Sequence, residues 1–130
     1  MSRGLLDTSV FIAREQRRPL GPLPDEAAIS VMTLAELELG VLAAADPDVR
    51  ALRADTLALA RAADPQPVGE AVGGAFARLV DDCRRKGVRA RVVDALIAAT
   101  AVEHGLPVVT QDDDFEAMAG AHSRLHVLQV

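Results

Sequence analysis

Short apolar runs alternating with helical stretches constrain this chain more than any other feature of its sequence. Leu5 and Leu6 open a run that stops at Asp7; Ala27–Met32, Pro107–Thr110 and His126–Val130 form three more. Each is short for a helix and has no polar face, as expected of a strand buried on both sides in a parallel sheet. Helical patterns fill the gaps: Thr8 to about Arg17, Thr33–Ala45, Asp46–Ala63, Glu70–Lys86 and Val92–His104, with a single turn over Phe115–Ala119. Pro19, Gly21, Pro22 and Pro24 break the first helix. Asp46-Pro47 is a helix start, and Gly87 and Gly105 stand where helices end. Thr33-Leu-Ala-Glu36 reads as a capping box, and a short extended piece around Val68 follows Asp64-Pro-Gln-Pro67. This alternation predicts an α/β fold, a three-layer α/β/α sandwich around a mainly parallel sheet of four or five strands. A length of 130 residues suits one domain, 1–130.

Composition narrows the function. Three Phe are the only aromatics, so Ala, Leu and Val must build the core. Few stacking platforms for bases remain, which argues against a single-strand binder that works by aromatic stacking. The net charge of −5 has the wrong sign for holding nucleic acid by bulk charge. One cysteine, Cys83, excludes an internal disulfide and a Cys-cluster zinc site, and its apolar helical stripe makes it core. His104, His122 and His126 share no metal-ligand spacing. No stretch approaches the roughly 18 apolar residues of a membrane span, and no signal-peptide pattern opens the chain. The expectation is a cytoplasmic protein with reduced thiols.

Four acids share a topological context. Asp7 ends the first strand, Glu36 follows the second, Asp94 opens the helix Val92–His104, and Asp112 follows the third strand. In parallel α/β sheets ligands bind outside the carboxyl ends of the strands. Each acid alone has a structural reading: Asp7 as a helix cap, Glu36 in the capping box, Asp94 on a helix dipole, Asp112–Asp114 in a surface turn. Their coincidence points instead to a hard-cation site, because gathered carboxylates repel unless a divalent ion sits among them. An all-oxygen donor set favours Mg²⁺ or Mn²⁺ over zinc. Such a site can activate water and neutralise a phosphodiester. Hydroxyls of Thr8, Ser9 and Thr110 lie beside the acids and are candidates for orienting that water. Arg84, Arg85, Lys86, Arg89 and Arg91 precede the Asp94 helix, either as a solvated helix end or as a grip on RNA phosphates.

These residues resemble the PIN-domain nucleases, most closely the VapC toxins of bacterial toxin–antitoxin pairs. Leu5-Leu-Asp7-Thr8-Ser9-Val10 is similar to the family's first acid motif, Val31-Met-Thr33-Leu-Ala-Glu36-Leu to the second, Val93-Asp94-Ala-Leu-Ile-Ala-Ala-Thr-Ala101 to the third and Val109-Thr110-Gln-Asp112-Asp113-Asp114-Phe115 to the fourth. The resemblance implies an endoribonuclease that uses Mg²⁺ or Mn²⁺ on Asp7, Glu36, Asp94 and Asp112. Asp114 is a helper and Asp113 a bystander. It further implies structured RNA such as tRNA as substrate, a homodimer, and a small VapB-like antitoxin as partner. Two other functions compete. A phosphatase of the HAD type also uses a strand-end Asp with Mg²⁺. It needs a second Asp where Ser9 stands and a lysine near the acids, and Lys86 is the only lysine. A catalytically inactive PIN-like binding module is the other, and the presence of all four acids speaks against it.

Overall fold

A computed structural model describes residues 2–130. The chain runs β1 (Arg3–Leu6), α1 (Thr8–Glu15), β2 (Glu26–Ser30), α2 (Val31–Ala43), α3 (Pro47–Arg61), β3 (Pro65–Gln66), α4 (Glu70–Arg85), α5 (Val92–Glu103), β4 (Val108–Thr110), α6 (Asp114–Ala121) and β5 (Val127–Gln129). All neighbouring strands pair parallel, in the order β3-β2-β1-β4-β5.

Alternation along each strand divides the core in two. Leu5, Ala28 and Val108 face a cluster with α4, α5 and α6, including Leu79, Ile97 and Phe115. Their neighbours Leu6, Ile29 and Val109 face the opposite cluster, with Val10, Phe11, Leu37 and Leu57 of α1, α2 and α3. This is the expected three-layer sandwich, with five strands. Close packing at its centre depends on small groups. Ala95, Ala98, Ala99 and Ala101 are fully buried, and α5 is enclosed on all sides from Ile97 to Val102. On β1, a Cβ at Gly4 would stand 2.6 Å from Val109 Cγ2, so only glycine lets β4 lie this close.

Three boundaries differ from the sequence expectation. Val31 and Met32 begin α2 rather than ending β2, because the Ser30 hydroxyl accepts the Met32 N–H at 3.1 Å and caps the helix. Thr33 therefore lies inside α2, and the Thr33–Glu36 capping box does not form. The extended piece expected near Val68 is β3 at Pro65–Gln66, an edge strand where proline is tolerated. The single turn expected at Phe115–Ala119 is an eight-residue helix, α6.

Order reverses between β1 and β4: β1 leads through α1 to β2 on one side and pairs with β4 on the other. A crevice opens at the carboxyl ends of strands where such a reversal occurs. The Asp7 N–H donates to the Val109 carbonyl at 2.9 Å, so β1 delivers Asp7 to this point.

Candidate active site

Asp7 is almost fully buried, and its Oδ2 accepts two hydrogen bonds, from the Ser9 N–H at 3.3 Å and the Thr110 hydroxyl at 3.0 Å. It caps α1 and is also locked to β4. The structural and functional readings of this acid are thus both compatible with its position. Thr110 Oγ1 also accepts the Asp112 N–H at 2.9 Å, so one hydroxyl links the acids after β1 and β4. Ser9 Oγ lies 3.2 Å from Thr110 Oγ1 and accepts the Gln111 N–H at 3.0 Å.

Glu36 stands half-buried in the second turn of α2, and the Thr8 hydroxyl donates to its Oε1 at 2.6 Å. Thr8 lies 3.3 Å from the buried Thr33 hydroxyl as well. The three hydroxyls expected to orient water are therefore committed to protein groups: Thr8 to Glu36, Thr110 to Asp7, and Ser9 to the β4 turn. In these contacts they position the acids. Gln111, which the sequence did not single out, holds the same turn. Its side-chain amide donates to the carbonyls of Pro19 at 2.9 Å and Val130 at 3.2 Å. Gln129 Nε2 donates to the Asp112 carbonyl at 3.0 Å. Gln111 in its turn and Gln129 at the end of β5 carry no periodic signal, so only the folded contacts reveal them.

Electrostatics joins the acids. Burial, with the charges of Asp7, Glu36, Asp114 and Asp112, pushes Asp94 up from the ordinary carboxylate range to about 6. Burial also raises Glu36; the Thr8 hydrogen bond opposes this, while Asp7 and Asp112 add to it. Partial burial, Asp7 and Asp114 raise Asp112, against the pull of Arg18. Asp94, on the third residue of α5, thus lies within the field of the other four acids. Among the described residues no group of three or more Asp, Glu, His or Cys is arranged to hold a metal ion. The donor chemistry nevertheless fits a hard cation: all oxygens, each disfavouring its neighbour's charge. Thr8→Val should raise the Glu36 pKa further by removing the bond that lowers it. A carbon-detected NMR titration of the Glu36 carboxyl checks this, and an unchanged midpoint would reject Thr8 as its orienting partner.

The basic segment divides. Arg89 and Arg91 line a cleft of about 270 Å³ with Asp94 and Asp114. Arg84 borders a neighbouring cleft. Arg85 pairs with Asp81 at 3.1 Å, and Lys86 Nζ donates to the Ala121 carbonyl at 2.8 Å, so both are engaged at the end of α4. Cys83 is buried, as expected of core. His122 lies 2.7 Å from Asp82, a contact between α4 and the end of α6.

The model of the PIN domain matches residues 4–121 of the chain. The chain belongs to the PIN-domain family. Within it, this PIN domain sits with the VapC proteins. It is 61% identical over 100 residues to ribonuclease VapC8 of Mycobacterium tuberculosis, covering 75% of this chain and 89% of that one. Ribonuclease VapC5 of the same organism is 48% identical over 122 residues, 92% of this chain and 90% of the relative. The crystal structure of VapBC-5, a member of the VapBC family of toxin–antitoxin systems from M. tuberculosis, superposes over all of both chains with a TM-score of 0.86 at 43% identity. Among the described residues, no helix is long and apolar enough to cross a membrane.

Proposed function

We propose that this PIN domain is the ribonuclease toxin of a VapBC-type pair, hydrolysing RNA phosphodiesters with Mg²⁺ or Mn²⁺ held by Asp7, Glu36, Asp94 and Asp112, and Asp114 at the margin. The observation that carries the site assignment is the gathering of these acids at the β1–β4 reversal, where burial first, and then the charges of Asp7, Glu36, Asp114 and Asp112, lift Asp94 to about 6. A bound divalent ion supplies charge neutralisation at the phosphate and a more acidic water. The chain's own residues do the positioning. Asp7 is fixed by Thr110 and Ser9, and Glu36 is aimed by Thr8. Purified protein should cleave RNA, tRNA included, with added Mg²⁺ or Mn²⁺. Chelation with EDTA should stop cleavage, and activity that survives it would reject the metal mechanism.

Substrate grip is assigned to Arg89 and Arg91, with Arg84 beside them. Phosphate approaching a cluster of acids needs positive charge at its edge. Arg89→Gln and Arg91→Gln should each weaken RNA binding and reduce the salt slope by about 0.7 for each single-strand phosphate that is no longer neutralised. Arg85→Gln should have the smaller effect, since Arg85 lines neither cleft and its exposed side chain lies against Asp81. Filter binding across a KCl series, with EDTA present to prevent cleavage, checks this. An equal effect of all three substitutions would reject the division.

The partner is a small VapB-like antitoxin acting on a homodimer of this chain. Leu39 and Leu42 of α2 and Val49, Leu52 and Leu59 of α3 are exposed, an apolar face of the kind a partner segment covers. An Arg or Lys inserted from that segment would pair with the acids. The buried apolar area must supply most of the affinity, because an exposed ion pair contributes only about 0–1 kcal/mol.

A further inference from the structure

We propose that the cleft between α4 and the 87–92 segment is a subsite for one nucleobase of the RNA, stacked on Phe76, next to the phosphate held by Arg89. The inference rests on the ribonuclease reading above and adds a contact that selects the substrate.

The cleft encloses about 450 Å³, within the range of roughly 300–1,000 Å³ that takes a small molecule. Phe76 and Val80 of α4 line it with Val88 and Val92, and its charged lining is Arg84, Arg89 and Asp81, the last paired with Arg85. It adjoins the candidate active site, since Arg89 and Ala90 also line the cleft that holds Asp94 and Asp114. A nucleotide whose phosphate reaches Arg89 therefore has an apolar recess within reach of its base.

The aromatic inventory singles out this place. Of the three Phe, Phe11 and Phe115 are buried in the two halves of the core. Phe76 alone is partly exposed and lines a cleft. With no Trp and no Tyr, Phe76 is the one benzenoid ring that lines a cleft, and the exposed imidazoles of His104 and His126 line neither this cleft nor the one holding Asp94. Val92 is 64% exposed one residue after Arg91, an apolar surface left open beside two arginines. Apolar walls with cationic edges suit a flat base carrying an anionic backbone. The one acid in the lining, Asp81, is paired with Arg85, so a purely apolar partner would leave Arg84 and Arg89 without counter-charge of their own.

The test uses the whole chain without metal, so that it reads binding and not cleavage. The probes are the four nucleoside 5′-monophosphates, with ribose 5-phosphate as the control lacking a base. Expected are saturable NMR shifts of the Phe76 ring and the Val80, Val88 and Val92 methyls with at least one nucleotide, and none with ribose 5-phosphate. Phe76→Leu keeps the apolar wall and removes the ring, and should weaken that nucleotide about tenfold, within the range for loss of one stacked base. Arg89→Gln, which keeps Phe76, Val80, Val88 and Val92 in place, should weaken the nucleotide that binds by removing the partner of its phosphate. Signals that move with no nucleotide, or equally with the control, overturn the subsite. So do signals that shift only with protein concentration, which would mean that a second copy covers the cleft. Failure of metal-dependent cleavage with these shifts intact would sink the nuclease reading and leave nucleotide binding standing.

Discussion

Asp7→Asn and Asp94→Asn should each lower RNA cleavage by about 10²–10³-fold or more, the scale of removing one electrostatic group from a preorganised site, while the protein stays folded. The two variants reach that result differently. Both hydrogen bonds to Asp7 fall on Oδ2, from Ser9 N–H and Thr110 Oγ1. An asparagine with its carbonyl oxygen in that place keeps the α1 cap and the link to β4. What it loses is the negative charge and one oxygen donor. Asp7→Ala would confuse the test, since removal of a helix cap costs typically about 1 kcal/mol and strands a buried hydroxyl. Asp94 sits half-buried in the field of four other acids, so neutralising it removes repulsion rather than a bond. The measurement is single-turnover cleavage of an RNA substrate with saturating Mn²⁺, with circular dichroism on the same samples. Wild-type rates in either variant would remove that residue from the site.

How far the sequence reveals the site depends on how each acid is delivered. Asp7 and Asp112 follow buried strands, and a run such as Leu5-Leu6 or Val108-Val109 fixes the end at which its acid emerges. Glu36 is legible as a candidate for a reason that the fold corrects. Thr33 and Glu36 have capping-box spacing, yet Ser30 caps the helix, and Thr33 is buried against Thr8. Ser30 and Thr33 both bear hydroxyls and either could cap. Only the contact of Thr33 with Thr8, 25 residues away in sequence, separates them. Asp94 depends on the direction of α5, which periodicity cannot give, because a helix enclosed on every side from Ile97 to Val102 has no polar face there to read. The division of the basic segment is equally hidden. Arg85 and Arg89 look alike in sequence; one is paired along α4, and the other faces the acids.

The metal-free protein should be more stable at pH 5 than at pH 7.5, opposite to a protein whose carboxylates are held by cations. Asp94 ionises at about 6 when folded, against an ordinary 3.8. Between these values the folded state binds the extra proton, so stability is highest below the unfolded pKa and is lost as pH rises through about 6. Glu36 and Asp112 are raised as well and act with the same sign. Asp82 is lowered, chiefly by its hydrogen bond with His122, so its contribution is lost only in acid below the ordinary carboxylate range, outside this window. Asp94 is half-exposed, and solvent screening reduces its share to about 1 kcal/mol, which is roughly 3–6 °C in Tm for a chain of this size. Asp94→Asn should therefore raise the metal-free Tm at pH 7.5 by about that amount and flatten the pH dependence, while removing cleavage. Mg²⁺ or Mn²⁺ should raise the wild-type Tm at pH 7.5 through preferential binding to the folded state. It should do so less in the variant, which lacks one donor and has less repulsion to relieve. Thermal denaturation at pH 5 and 7.5, with EDTA and then with metal, measures all of these. Equal wild-type Tm values at the two pH values, or a variant less stable than wild type at pH 7.5, would mean that the acids do not strain one another. The electrostatic basis for a cation site would then be gone.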